Sequence, residues 1–297
     1  MATTTHIAVP ARAASPLALW HLLSLDAPTV AALWTWFIAR SCGMRLPLAA
    51  PLAMALAVWI VYASDRLLDA SRANTTERRA ELEARHRFHH RHRRAFAVSI
   101  AAALIALGAL LPLLDPAALR LYLMEGALLV GWFVLLHATH SAHRLPKEIA
   151  VGIFFSAAVF IPTIARTSAL RLVLAPAALL LGALCALNCL FIYAWEHDET
   201  AAHGPPSATS PHATTKFALD HIASFAITLA LSGLALAIFG PGPGRPIASA
   251  CALSAISLLA LNSRPTEFSR IHLRAAADLA LLTPLLLLPL MRRIPRW

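Results

Sequence analysis

The stretch WIVYASDRLLDASRA, Trp59 to Ala73, begins as an apolar span and ends by carrying Asp65 and Asp69 out of it, one helical turn apart. An apolar run of this length reads as a transmembrane helix, and two carboxylates at i and i+4 share one face of that helix. Adjacent carboxylates repel unless something positive lies between them. A hard divalent cation with oxygen ligands satisfies both, and Mg²⁺ commonly bridges carboxylates to a phosphate. Arg66 and Arg72 are close enough in sequence to take up remaining phosphate charge. The plainer alternative is that the acids pair with Arg66, Arg72 or Arg85 at a membrane surface.

Working outward, the whole chain has this apolar character. Of its 297 residues 59% are hydrophobic and 13% charged, and the mean hydropathy is +0.66. Soluble domains carry about 25% charged residues, so the composition excludes an ordinary soluble domain. About nine apolar spans are expected, at 17–39, 46–68, 95–114, 117–138, 149–166, 170–195, 217–239, 246–262 and 273–291. The first is the least regular, because it contains His21, Asp26 and Pro28. The fold class is therefore all-α, a polytopic integral membrane helix bundle, forming a single domain over 1–297. A basic helix or loop at 70–94 interrupts it. Residues 1–16 are polar and small and lack the pattern of a signal peptide.

The net charge of +10 does not imply nucleic acid, because the cations sit in loops between spans. Sixteen of the 25 Lys and Arg fall on the face that holds the ends of spans two, four, six and eight. Positive-inside bias puts that face in the cytoplasm of a bacterial-type inner membrane, against anionic lipid. The basic tail at Arg292, Arg293 and Arg296 runs against this assignment. Cys42, Cys185, Cys189 and Cys251 have neither disulfide nor zinc spacing.

The same face collects acids and histidines, which topology does not require. A second acidic patch, LNCLFIYAWEHDET at 187–200, places Asn188, Ile192 and Glu196 along one helical row, with Asp198 and Glu199 beyond it. Four spans separate the two patches, so both lie on one side, an arrangement suited to metal ions holding a diphosphate.

With these two motifs the sequence resembles the UbiA-type intramembrane prenyltransferases. That family carries an N-D-x-x-D-x-x-x-D motif and a D-x-x-x-D motif. In DRLLDASRA, Asp65 falls on the Asn of the first motif, Arg66 on its first acid, Asp69 on its middle acid and Ala73 on its last. Asn188 and Glu196 are the best-placed residues for the second. The resemblance implies transfer of a polyprenyl group from its diphosphate to an aromatic or lipid-like, lipophilic acceptor. It implies Mg²⁺ held by Asp65, Asp69, Asn188, Glu196 and Asp198, with Asp65 and Asp69 catalytic. Arg66, Arg72, Arg85 and Lys147 would contact the diphosphate.

Residues 74–94, NTTERRAELEARHRFHHRHRR, read as an amphipathic helix with acids leading and bases trailing. It suits a lipid-surface helix or a lid. Its H-x-x-H-H at His86–His90 also has the spacing of membrane di-iron oxidases, but one such box leaves both acidic patches unexplained. A transporter or non-catalytic member is the other alternative. No repeat is visible, and the ionisable groups sit at one rim, Asp278 being the main exception.

Overall fold

A computed structural model describes residues 15–72, 88, 91–138, 147–197 and 213–291. These residues contain no strand. The helices are α1 Pro16–Leu22, α2 Asp26–Ser41, α3 Ala49–Arg72, α4 Arg93–Leu110, α5 Pro116–Ala138, α6 Lys147–Arg166, α7 Leu170–His197, α8 Ala213–Asp220, α9 Ile222–Phe239, α10 Gly244–Asn262, α11 Arg270–Ala280 and α12 Pro284–Met291.

Seven helical stretches are long and apolar enough to cross a membrane: Ala49–Leu68, Arg93–Leu113, Glu148–Arg166, Leu170–Trp195, Ile222–Phe239, Gly244–Asn262 and His272–Pro289. The number rises to eight if α1 and α2 together form one span. The expected unbroken first span is thus corrected. The chain turns by 88° between α1 and α2, through Ser24 at φ 59°. Asp26 then starts a new helix, where a carboxylate meets the positive end of the helix dipole. Part of the amphipathic helix expected at 74–94, and the H-x-x-H-H box within it, lies outside the described residues.

The centre of the bundle is α2, α6, α7, α10 and α11, with α3 packed on α2, α4 on α3, α5 on α6 and α9 on α10. Trp34, Phe37, Ile38, Val159, Leu181, Leu184, Phe191, Ile247 and Leu258 form its core. Lipid tails are as apolar as leucine, so helix association relies on close approach at small residues. Gly152 of α6 faces Gly182 of α7, and Gly233 of α9 faces Ala248 and Ala252 of α10. Ser156 reinforces the first contact by donating to the Ala178 carbonyl at 2.7 Å.

The last span is also broken, at residues 281–283 before Pro284. In a bundle the freed backbone groups need partners. Trp34 Nε1 donates to the Leu281 carbonyl at 2.9 Å, and Thr283 donates to the Ala250 carbonyl at 2.8 Å. Trp34→Phe keeps most of the ring volume but leaves that buried carbonyl without its indole donor. The expected loss is about 1–3 kcal/mol, read as a lower melting temperature in detergent micelles. An unchanged melt would mean the break is held elsewhere.

Candidate functional site: a buried polar centre beneath a helix break

The α1–α2 break exposes backbone acceptors inside the bundle, and α3 supplies the donors. Trp59 Nε1 donates to the Leu23 carbonyl at 3.0 Å. Seven residues on, which is two turns along the same face, Arg66 donates to the His21 carbonyl at 3.1 Å and to Ser24 Oγ at 2.6 Å. The motif helix is therefore also the clamp that fixes the break.

Behind the clamp sit the ionisable groups. Asp26 is 1% exposed, His21 3% and Arg66 5%. His21 Nδ1 and Asp26 Oδ2 are 2.6 Å apart, and the Ala27 amide donates to Asp26 Oδ1 at 3.0 Å. The Arg66 guanidinium lies 3.6 Å from Asp26 Oδ2, at ion-pair rather than hydrogen-bond distance. Asp278, from α11, joins from the other side: Asn188 Nδ2 donates to its Oδ1 at 3.1 Å. One ligand-type atom from each of His21, Asp26 and Asp278 lies within 4.8 Å of the others.

A cavity of about 30 Å³ adjoins this centre, lined by Tyr62, Asn188, Asp278, Cys185 and Cys189 with apolar neighbours. It has room for one water or a single ion. The Arg66 guanidinium carbon lies 5.8 Å from the centre of the Tyr62 ring, within cation–π range. Asn188 is 5% exposed, and its Oδ1 has no hydrogen-bond partner. Two carboxylates and one guanidinium leave the centre one positive charge short of neutrality. A low-dielectric interior penalises that imbalance, which a proton on His21, paired with Asp26, or a further cation would remove.

The sequence-predicted residues divide. Arg66 and Asn188 reach this centre, Arg66 through the helix break and Asp26, Asn188 through Asp278. Asp65, one residue from Arg66, is exposed. Asp69, Arg72, Lys147 and Glu196 belong to described helices, but their side chains lie outside what is described, and Arg85 and Asp198 lie outside the described residues altogether. Of the oxygen set expected for Mg²⁺, only Asp65 and Asn188 have described side chains: Asp65 is exposed, and Asn188 donates to Asp278.

Sequence reasoning did not place His21, Asp26 and Asp278 in a site. The signal was present, because each interrupts an apolar span, and an ionisable group inside a bundle is a functional hypothesis by default. Asp278 does form the interhelical pair that its position allows, and its span is broken before Pro284.

At the far end of the bundle, Arg166 closes a separate contact. Its Nε is 3.8 Å from Asp115 Oδ2, and its Nη1 donates to the Arg45 carbonyl at 2.9 Å. No family model, no curated protein and no solved structure matches the chain.

Proposed function

We propose that the chain is an intramembrane prenyltransferase of the UbiA kind. It would transfer a polyprenyl group from its diphosphate to a lipophilic acceptor, with Mg²⁺ as cofactor, at a site facing the cytoplasm. The observation that carries the reading is that the two motif helices meet at one cavity: Tyr62 of α3 and Asn188 of α7 both line it. The D-x-x-x-D that ends the family's first motif has the spacing of Asp65 and Asp69. In that register its first acid falls on Tyr62, the α3 residue at the cavity.

The proposal includes nine crossings. Seven are the apolar stretches above, the bent α1–α2 pair adds an eighth, and the 23-residue α5 adds the ninth. The excess of Lys and Arg puts the ends of α3 and α7 in the cytoplasm. In catalysis, Arg72, Arg85 and Lys147 would bind the diphosphate, and Arg66 would hold positive charge beneath it. The apolar walls of α6 and α7 would exclude water from the reacting allylic carbon.

The test is binding of a polyprenyl diphosphate to purified protein in detergent, with and without Mg²⁺. Binding should require Mg²⁺. It should weaken in Asp69→Ala by more than the roughly 10–100-fold that losing an outer-shell partner of a metal produces. Binding indifferent to both Mg²⁺ and Asp69, or no binding, would remove the prenyltransferase reading. A second reading is favoured by the 88° break between α1 and α2. Broken helices beside buried acids are the sites of ion-coupled transporters, and proton uptake into proteoliposomes on substrate addition would mark that case.

A further inference from the structure

We propose that His21, Asp26 and Asp278 form a binding site for one first-row divalent metal ion of the zinc or manganese type. This site shares only Asn188 with the oxygen-ligand Mg²⁺ set of the prenyltransferase reading, here as the residue that orients Asp278, and does not depend on that reading. The three side chains come from the end of α1, the start of α2 and the last turn of α11. They present one imidazole nitrogen and two carboxylate oxygens with mutual distances of no more than 4.8 Å, a spacing that one ion can span. Each carboxylate is already oriented. Asp26 Oδ1 is held by the Ala27 amide and Asp278 Oδ1 by Asn188, while Asp26 Oδ2 already faces His21 Nδ1 at 2.6 Å and the Arg66 guanidinium at 3.6 Å. Fixing a ligand through its other oxygen is how outer-shell partners prepare metal sites.

An independent observation points the same way. Asn188 Oδ1 is buried without a hydrogen-bond partner and belongs to a side chain lining the cavity that Asp278 also lines. An orphaned acceptor of this kind calls for a donor or a cation beside it. The ligand chemistry selects the metal. Mg²⁺ prefers six oxygens in octahedral array and keeps its waters. An imidazole with two carboxylates suits zinc or manganese better.

The charge count adds a functional consequence. A divalent ion and Arg66 together exceed the two carboxylates by one positive charge. Three protein ligands leave a coordination position open, and an anionic fourth ligand would restore neutrality there. The ion needs a deprotonated His21 Nδ1, so the proton of the His21–Asp26 hydrogen bond is displaced on binding: to the ring's own Nε2 when the imidazole is neutral, and one proton to water when it is imidazolium.

The experiment uses the full chain with His86, His89, His90 and His92 changed to Gln, purified in detergent without a histidine tag, so that the histidine-rich segment does not bind zinc. Equilibrium dialysis against Zn²⁺, without any isoprenoid, should give one ion per chain. His21→Ala or Asp278→Asn should abolish binding, Asn188→Ala should weaken it about 10–100-fold, and Asp65→Asn should leave it unchanged. X-ray absorption at the zinc edge of the unsubstituted centre should show one imidazole and oxygen neighbours, a readout that stands even if the variants fail to fold. No stoichiometric zinc, zinc retained in folded His21→Ala and Asp278→Asn variants, or a sulfur-dominated shell would overturn the site. Zinc binding without polyprenyl diphosphate binding would keep this site and remove the transferase reading.

Discussion

Arg66→Met should destabilise the protein by about 3–5 kcal/mol, because it leaves Asp26 buried and without its cationic neighbour. Arg66 also holds the His21 carbonyl and Ser24 Oγ at the helix break, so the variant removes a charge and a clamp together. The companion double variant, Arg66→Met with Asp26→Asn, separates the two. Removing both charges of a buried pair is commonly close to neutral, whereas removing one is not. If the charge imbalance dominates, the double variant recovers most of the lost stability. If the clamp dominates, it stays as unstable as the single variant. Unfolding by SDS in mixed micelles, monitored by the tryptophans, gives the difference directly. A wild-type value for Arg66→Met alone would show that Asp26 draws its compensation from elsewhere.

Gly152→Val should have an effect as large by a different route. A Cβ at this position would lie 2.3 Å from the Gly182 carbonyl oxygen and 3.1 Å from the Ala186 Cβ. The first obstacle is backbone, which cannot rotate aside, so α6 and α7 must separate along their contact. Overpacking into side chains typically costs about 1–3 kcal/mol; a clash with backbone between two central helices should exceed that. The expected outcome is loss of the monodisperse species on size exclusion or a sharply lowered melting temperature. Gly182→Ala gives a graded control, since its Cβ would meet the Gly152 carbonyl at 3.3 Å. Gly126→Ala gives a neutral one, with nothing within 4 Å. If Gly152→Val melts like Gly126→Ala, the α6–α7 contact is not what holds the centre of the bundle together.

The zinc site and the prenyltransferase reading bear on different residues. One rests on His21, Asp26 and Asp278, the other on Asp65, Asp69 and the cytoplasmic cations. Arg66 and Asn188 touch both, through Asp26 and Asp278 respectively. A mutant of either, Asn188→Ala included, therefore does not separate the two readings; His21→Ala, Asp278→Asn and Asp69→Ala do.

That this chain is built of apolar helices is legible in its residues alone. That property is local: a run of apolar residues long enough to span a bilayer is visible without knowing its neighbours. The sequence also brought Asn188 forward, because its spacing from Glu196 follows the helical period, and Arg66, because it stands beside Asp65 and Asp69. Which charged residues meet was decided by tertiary structure alone. Asp26 and Asp278 are 252 positions apart in the chain, and no periodicity links them. They come together because the chain breaks at Ser24, α3 clamps that break with Trp59 and Arg66, and α11 packs against α1, α2 and α7. A helix break is a long-range event, because its freed carbonyls need donors from another helix, and composition does not reveal which helix provides them. Asp65 shows the converse. Its neighbour Arg66 turns inward, and a step of one residue rotates a helical side chain by about 100°, so Asp65 lies on the outer face.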